Sequence, residues 1–187
     1  MKDEFSGKRV VVMGLGLFGG GEGAARFFAE RGADVLVTDL RDERALEPAV
    51  RRLAGLENVR FRLGRHDEAD FTSADIVVVN PAVPDTSPYL AAARSSGAQL
   101  TTEINLLFAR TSATIVGITG TNGKSTTALL THLLLKGLGI PTRLGGNIGG
   151  SLLPHVDSIS PEEAVVLELS SFQLERLRWE GKSPNVC

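Results

Sequence analysis

Cysteine is nearly missing from this chain. Cys187 is the only one, which excludes a disulfide framework within one chain and argues against a cysteine-based zinc site. His66, His132 and His155 share no metal-ligand spacing, and His132 reads as a structural or surface residue. No apolar run reaches the roughly 18 residues of a membrane span. The opening Met1-Lys2-Asp3-Glu4 is acidic and lacks the apolar core of a signal peptide, so a cytoplasmic protein is expected. An excess of positive charge is absent too: the formal net charge is −2, which argues against a nucleic-acid surface. Tyr89 and Trp179 stand singly and suggest no stacking platform. No repeat or low-complexity tract stands out. With 187 residues, 42% of them hydrophobic, the chain suffices for one large globular domain or two small ones.

Glycine is abundant, and its placement carries the chemistry. Ile115 to Thr126 reads as an apolar strand, a glycine-bounded loop (Gly120-Thr121-Asn122-Gly123) and a Lys124-Ser125-Thr126 step into an Ala- and Leu-rich helix over 125–138. In such a loop, successive N–H groups and a helix N-terminus converge on one anion. Lys124 adds a mobile charge for a terminal phosphate, and the Ser125 hydroxyl suits Mg²⁺. Ile118 stands where the standard phosphate loop has its first glycine, so this is a shortened variant. The alternative is a tight turn with a solvated lysine.

A second glycine loop lies near the start. Val10-Val11-Val12 leads into Gly14-Leu15-Gly16-Leu17-Phe18-Gly19, then a helix over 22–31 and a strand over 34–38 that ends at Asp39. This is G-x-G-x-x-G in the strand-to-helix context, with an acidic residue about 20 positions on, where a dinucleotide site binds a ribose hydroxyl. Three readings remain open: NAD, another diphosphate, or a close-packed turn. The run Gly20, Gly21, Gly23 is expected to loosen the helix start.

The rest of the first half alternates: helix 43–53, strand 59–63, strand 76–79, a break at Asn80-Pro81-Ala82-Val83-Pro84, helix 88–95, strand 99–101 and helix 103–109. Alternation implies a parallel sheet with ligands beyond the strands' carboxyl ends, where Leu17, Phe18, Asp39, Arg41, Asn80 and Ala82 fall. Arg110-Thr111-Ser112-Ala113 is the expected boundary between a domain 1–110 and a second, 111–187. In the second, Leu144 to Gly150 packs four glycines around Asn147, read as a loop whose backbone approaches a ligand, with the Asn147 amide as a directed donor. Glu168 closes a buried strand over 164–169, placed to hold Mg²⁺, and Ser170 to Glu175 follows as a loop or helix start.

Taken in order, Gly14-Leu15-Gly16, Gly120 to Thr126, Gly146-Asn147-Ile148-Gly149 and Leu167-Glu168-Leu169-Ser170-Ser171-Phe172-Gln173-Leu174-Glu175 resemble the Mur ligase family of ATP-dependent amide-bond ligases. The resemblance implies an α/β architecture: a Rossmann-like parallel-sheet domain followed by the start of a P-loop-type ATPase domain. The first loop would hold a uridine diphosphate rather than NAD, with Gly14, Gly16, Leu17, Phe18, Asp39, Arg41, Asn80 and Ala82 around it. Asn80-Pro81-Ala82 stands where the family often has Ser-Pro-Gly. Gly120, Thr121, Asn122, Gly123, Lys124, Ser125 and Thr126 would bind ATP, Ser125 and Glu168 would serve magnesium, and Asn147 would touch substrate. Lys124, Asn147 and Glu168 would be the catalytic groups. The chemistry implied is phosphorylation of a carboxylate to an acyl phosphate, then attack by an amine. Ser-Ser-Phe-Gln-Leu favours the member that joins D-glutamate to UDP-N-acetylmuramoyl-L-alanine in peptidoglycan synthesis, over sister ligases and folylpolyglutamate synthases. Family members continue past the equivalent of Cys187 through further catalytic groups, including an often carbamylated lysine, so the 187 residues are expected not to ligate alone. The competing readings are an NAD-dependent oxidoreductase, a P-loop kinase or GTPase, and a nucleotide-binding module.

Overall fold

Branched apolar runs form the strands. A computed structural model describes residues 3–16 and 19–187. The chain divides into two compact units, Met1–Glu103 and Ile104–Cys187.

The first unit holds five strands: β1 Arg9–Met13, β2 Asp34–Asp39, β3 Val59–Leu63, β4 Ile76–Val79 and β5 Gln99–Thr101. They pair in parallel in the order β3-β2-β1-β4-β5. All of β4 and all but the first residue of β1 are buried. That is the mark of strands covered on both faces, and it explains their near-continuous Val and Ile content. After β3 the chain crosses back to lay β4 beside β1, which makes the carboxyl ends of β1 and β4 the switch point where open α/β sheets bind ligands. The connecting helices are α1 Gly20–Glu30, α2 Glu43–Leu53, α3 Glu68–Thr72 and α4 Pro88–Ser95. Phe5, Phe27 and Phe28 form a mutual edge-to-face cluster, with centroids 4.8–5.7 Å apart, that seals the N-terminal segment onto α1.

The second unit comprises most of α5 Glu103–Arg110, then β6 Thr114–Ile118, α6 Lys124–Gly137, β7 Thr142–Gly146, a 3-10 turn Leu153–Ser158, β8 Ala164–Glu168, α7 Ser171–Leu177 and a final 3-10 turn Arg178–Glu180. Its parallel sheet runs β6-β8-β7. A short parallel bridge from Val186 lies against Val116 in β6. The division falls at Glu103 rather than near residue 110 because α5 is tied into the second unit: buried Asn105 donates from Nδ2 to the Arg176 carbonyl at 3.0 Å.

Three departures from the sequence reading have physical causes. Helix α1 starts at Gly20, not Glu22, so the glycine run belongs to the helix. Gly21 is needed there: a Cβ on it would lie 2.4 Å from the carbonyl oxygens of Gly14 and Leu15. Thr142–Gly146, expected partly as loop, is a strand because β8 supplies its hydrogen-bond partners. The short α3 and the turn at 153–158 carry too few residues for a readable periodicity.

Candidate functional site

In the first unit, β1 delivers Gly14 to the switch point and Gly14 and Gly16 take positive φ, +93° and +73°. Neither can carry a side chain, since a Cβ would come within 2.7 Å of Asn80 Cβ at Gly14 and 2.9 Å of Asn80 Nδ2 at Gly16. Asn80 braces this loop. Its Nδ2 donates to the Gly14 carbonyl at 3.3 Å and its Oδ1 accepts from the Ala82 N–H at 3.0 Å. Asp39 braces it from the other side. Its Oδ2 accepts from Leu15 N at 3.0 Å and Gly16 N at 3.4 Å, and its carboxylate also binds the backbone N–H, Nε and a terminal nitrogen of Arg41. Burial pushes the Asp39 carboxyl up, but the Arg41 hydrogen bonds and charge, with the Gly16 N–H, outweigh it and hold the group below its ordinary value. Both Asp39 oxygens are therefore engaged by the protein's own donors. Leu17 and Phe18 lie outside the described residues.

A cleft of about 410 Å³ opens beside the loop, lined by Met13, Gly14, Asp39, Arg41, Asn80 and Ala82 together with His66 and Tyr89. Sequence reasoning set His66 and Tyr89 aside as isolated. The fold brings them together with Phe71, ring centroids 5.1 Å apart for both His66–Tyr89 and Phe71–Tyr89. No linear motif announces this cluster, because its members come from three separate segments. A larger hollow of about 670 Å³ is lined by Arg60 and Arg62 of β3 and by Arg65 beyond it; Arg60 pairs with Asp34, and Arg62 with Asp67 and Asp70.

In the second unit the three strands end side by side. The register sets Ile118 of β6 and Gly146 of β7 on either side of Glu168 in β8. The 120–123 loop, Asn147 and Glu168 thus share one sheet end. Gly146 (φ +92°) admits no side chain, as a Cβ would lie 2.2 Å from the Glu168 carbonyl oxygen. At Gly146 the close approach is to the protein's own backbone. The same packing lets the Asn147 N–H donate to that carbonyl at 3.0 Å. Lys124 Nζ arches back over its loop to the carbonyls of Gly120 (2.8 Å) and Thr121 (3.3 Å). Glu168 is buried, yet its Oε2 has no hydrogen-bond partner among the described residues. A buried carboxylate oxygen without a partner is costly unless a cation or donor joins it. The Ser125 hydroxyl is exposed and also has no partner among the described residues. Hydroxyl and carboxylate oxygens of this kind are the donors that a hard divalent cation such as Mg²⁺ takes.

Helix starts separate these two loops from the others. Helices α2, α3 and α7 are capped by Asp42, Asp67 and Ser170, whose side chains accept from the first-turn N–H groups. Helix α4 also lacks a side-chain cap but starts at Ser87 with Pro88 in its first turn, whereas α1 and α6 begin at glycines in left-handed conformation, Gly19 (φ 85°) and Gly123 (φ 78°), with no side-chain cap. Among the described residues no side chain caps their first-turn N–H groups, and both helix dipoles favour an anion.

Residues 8–102 match the family described as Mur ligase MurD-like, N-terminal domain. Among curated proteins, the UDP-N-acetylmuramoylalanine–D-glutamate ligase of Geobacter metallireducens is 52% identical over 172 residues, 92% of this chain and 37% of that protein. Its namesake from Roseiflexus is 48% identical over 98% of this chain and 39% of that protein. This chain therefore spans well under half the length of these relatives. Among solved structures, the UDP-N-acetylmuramate:L-alanyl-gamma-D-glutamyl-meso-diaminopimelate ligase (MPL) from Neisseria meningitides aligns over 90% of this chain and 56% of that one, at 20% identity and a TM-score of 0.59, a likeness of fold. With about half of its residues inside the matched domain, the chain belongs to the MurD-like Mur ligases.

Proposed function

We propose that the longer protein of which these residues form a part joins D-glutamate to UDP-N-acetylmuramoyl-L-alanine in an ATP-dependent reaction through an acyl phosphate. The first unit would hold the uridine diphosphate of the nucleotide sugar, and the second the phosphates of ATP. The observation that carries this reading is the pair of uncapped, glycine-started helices, one per unit, each at the carboxyl end of a parallel strand. One chain with two anion sites suits a reaction that consumes two phosphorylated molecules. The identity to curated D-glutamate ligases supports the choice of substrates.

In this reading Asp39 and Asn80 shape the first loop, and the N-terminus of α1 receives the diphosphate. Lys124 exchanges its internal carbonyl partners for phosphate oxygens. Thr121, Asn122 and Thr126 line the loop and the first turn around them. Mg²⁺, held by Ser125 and Glu168, would neutralise charge on the transferring phosphoryl group. Asn147, fixed through its backbone to Glu168, offers its amide to the substrate carboxylate. Proximity and charge neutralisation carry the rate, since attacker and phosphoryl group are both anionic. The reaction is assigned to the cytoplasm, the compartment that supplies ATP. Among the described residues no helix is long and apolar enough to cross a membrane. An NAD-dependent oxidoreductase would leave the Lys124 loop and Glu168 without a task.

Titrating UDP and NAD⁺ separately into the 187-residue chain tests the first site. Amide shifts from UDP at residues 14–21 and 39–41 are expected. Binding of NAD⁺ with none of UDP would overturn the reading.

A further inference from the structure

Asn122 lies in the second glycine loop and is followed directly by Gly123. We propose that Asn122 is a site of spontaneous deamidation, which proceeds while the loop is empty and is suppressed when phosphate fills it. The modification stands on the loop's own geometry. Its suppression by phosphate, and its effect on nucleotide binding, rest on the reading of the second unit as an ATP site.

The chemistry has three requirements. The asparagine amide must be free, the next backbone N–H must be free, and that nitrogen must have room to reach the amide carbon. Asn122 and Gly123 are both exposed. Among the described residues the Asn122 side chain has no hydrogen-bond partner, and the Gly123 N–H has no acceptor. Gly123 carries no Cβ to obstruct the approach, and even a Cβ built there would meet nothing within 4 Å. Charge favours the step as well. The attacking nitrogen must shed its proton, and the resulting anion forms at the uncapped, electropositive N-terminus of α6. The Lys124 ammonium is held in the same loop, on the carbonyls of Gly120 and Thr121.

Each of the other five asparagines fails a requirement. Asn80 precedes Pro81, which has no N–H. Asn58 Nδ2 donates to the carbonyls of Ala29 and Ala33, and Asn105 is fully buried. Asn185 Oδ1 accepts from Ile115 N. Asn147 precedes Ile148, whose branched side chain crowds its own nitrogen.

In the reaction the deprotonated Gly123 nitrogen attacks Asn122 Cγ. The N–Cγ bond forms, the Cγ–Nδ2 bond breaks, and Nδ2 takes up a proton and leaves as ammonia. Water then opens the succinimide. Cleavage at Cγ gives aspartate, and cleavage at the main-chain carbonyl gives isoaspartate, whose backbone runs through the side-chain carbons. Water enters, ammonia leaves, and nothing is oxidised or reduced. Aspartate puts negative charge where the loop favours an anion, and isoaspartate lengthens the backbone ahead of Lys124. Either product weakens a phosphate site.

The test incubates the 187-residue chain at neutral pH, folded and in urea, and follows each asparagine peptide by mass spectrometry. In the folded chain Asn122 is expected to convert about 10-fold faster than Asn147, and at a rate close to its own in urea. If Asn122 is no faster than Asn147, or is far slower folded than in urea, the proposal is overturned. Asn122→Gln, whose longer side chain closes the ring poorly, should remove the mass change from that peptide. A change that persists there overturns the assignment to Asn122. In the longer protein, Mg·ATP should slow the conversion, and Asn122→Asp should weaken ATP binding about 10-fold. If Asn122 converts equally fast with and without Mg·ATP, the protection fails together with the ATP reading, while the modification site stands.

Discussion

The two glycine loops use one device in two settings. In the first unit the loop is braced from both sides, by Asp39 and Asn80, and leads into α1, which buries seven of its eleven residues. In the second, Lys124 bonds only to its own loop among the described residues, and of α6 just Ala128 is buried, while Leu130, Leu133 and Leu134 stand more than half exposed. The glycine that starts each helix has nearly the same backbone conformation, φ 85° at Gly19 and 78° at Gly123. What differs is how strongly the surrounding core holds it. Local glycine placement creates such a site, and its rigidity comes from packing elsewhere.

Core truncation should separate the two units most sharply. Phe28→Ala, at a fully buried ring of the Phe5–Phe27–Phe28 cluster, is expected to destabilise the first unit by about 3–5 kcal/mol. Denaturant unfolding, followed by amide signals from each unit, would show it. Equal loss in both units would mean that their cores are not independent. Next comes chemistry. In the longer protein, Lys124→Ala should lower ATP-dependent ligation by about 10²–10³-fold. It should leave UDP binding by the first unit untouched, which parallel turnover and calorimetry measurements would check.

A smaller effect tests the brace. Asp39→Ala strips the buried Leu15 N–H and the partly buried Gly16 N–H of their partner and should cost about 1–3 kcal/mol. Because the folded-state pKa of Asp39 is lowered, its contribution is present above the unfolded-state value and lost as pH falls through the folded one. The stability difference between wild type and Asp39→Ala should therefore shrink in acid, as urea midpoints across pH would report. The smallest effect is expected at Leu134→Gln on the open face of α6, within about 0.5 kcal/mol. A large loss there would show that the face is covered in solution.

Much of this was readable beforehand. Val10 to Gly19 and Ile115 to Ser125 each place strand, turn and helix in one stretch, so both loops could be located from spacing alone. Glu168 could be singled out because it ends an apolar run. Other features stayed hidden. Thr142-Arg143-Leu144-Gly145-Gly146 has little strand propensity of its own and becomes β7 through pairing with β8. Gly21 looked like surplus flexibility until the carbonyls of Gly14 and Leu15 were found against it. Asn80, a departure from the familiar Ser-Pro-Gly, proves to be the strut of a loop far away in the chain.

Sequence alone determined where this protein turns its backbone N–H groups outward, because positive-φ glycines and helix starts are set by neighbours along the chain. Tertiary structure alone decided which side chains stand around those groups. Thr38, His66 and Tyr89, like Ile118, Gly146 and Glu168, meet only because parallel strands bring their carboxyl ends to one edge. Hydrogen bonds and ring contacts act over a few ångströms in space, whatever the distance along the chain.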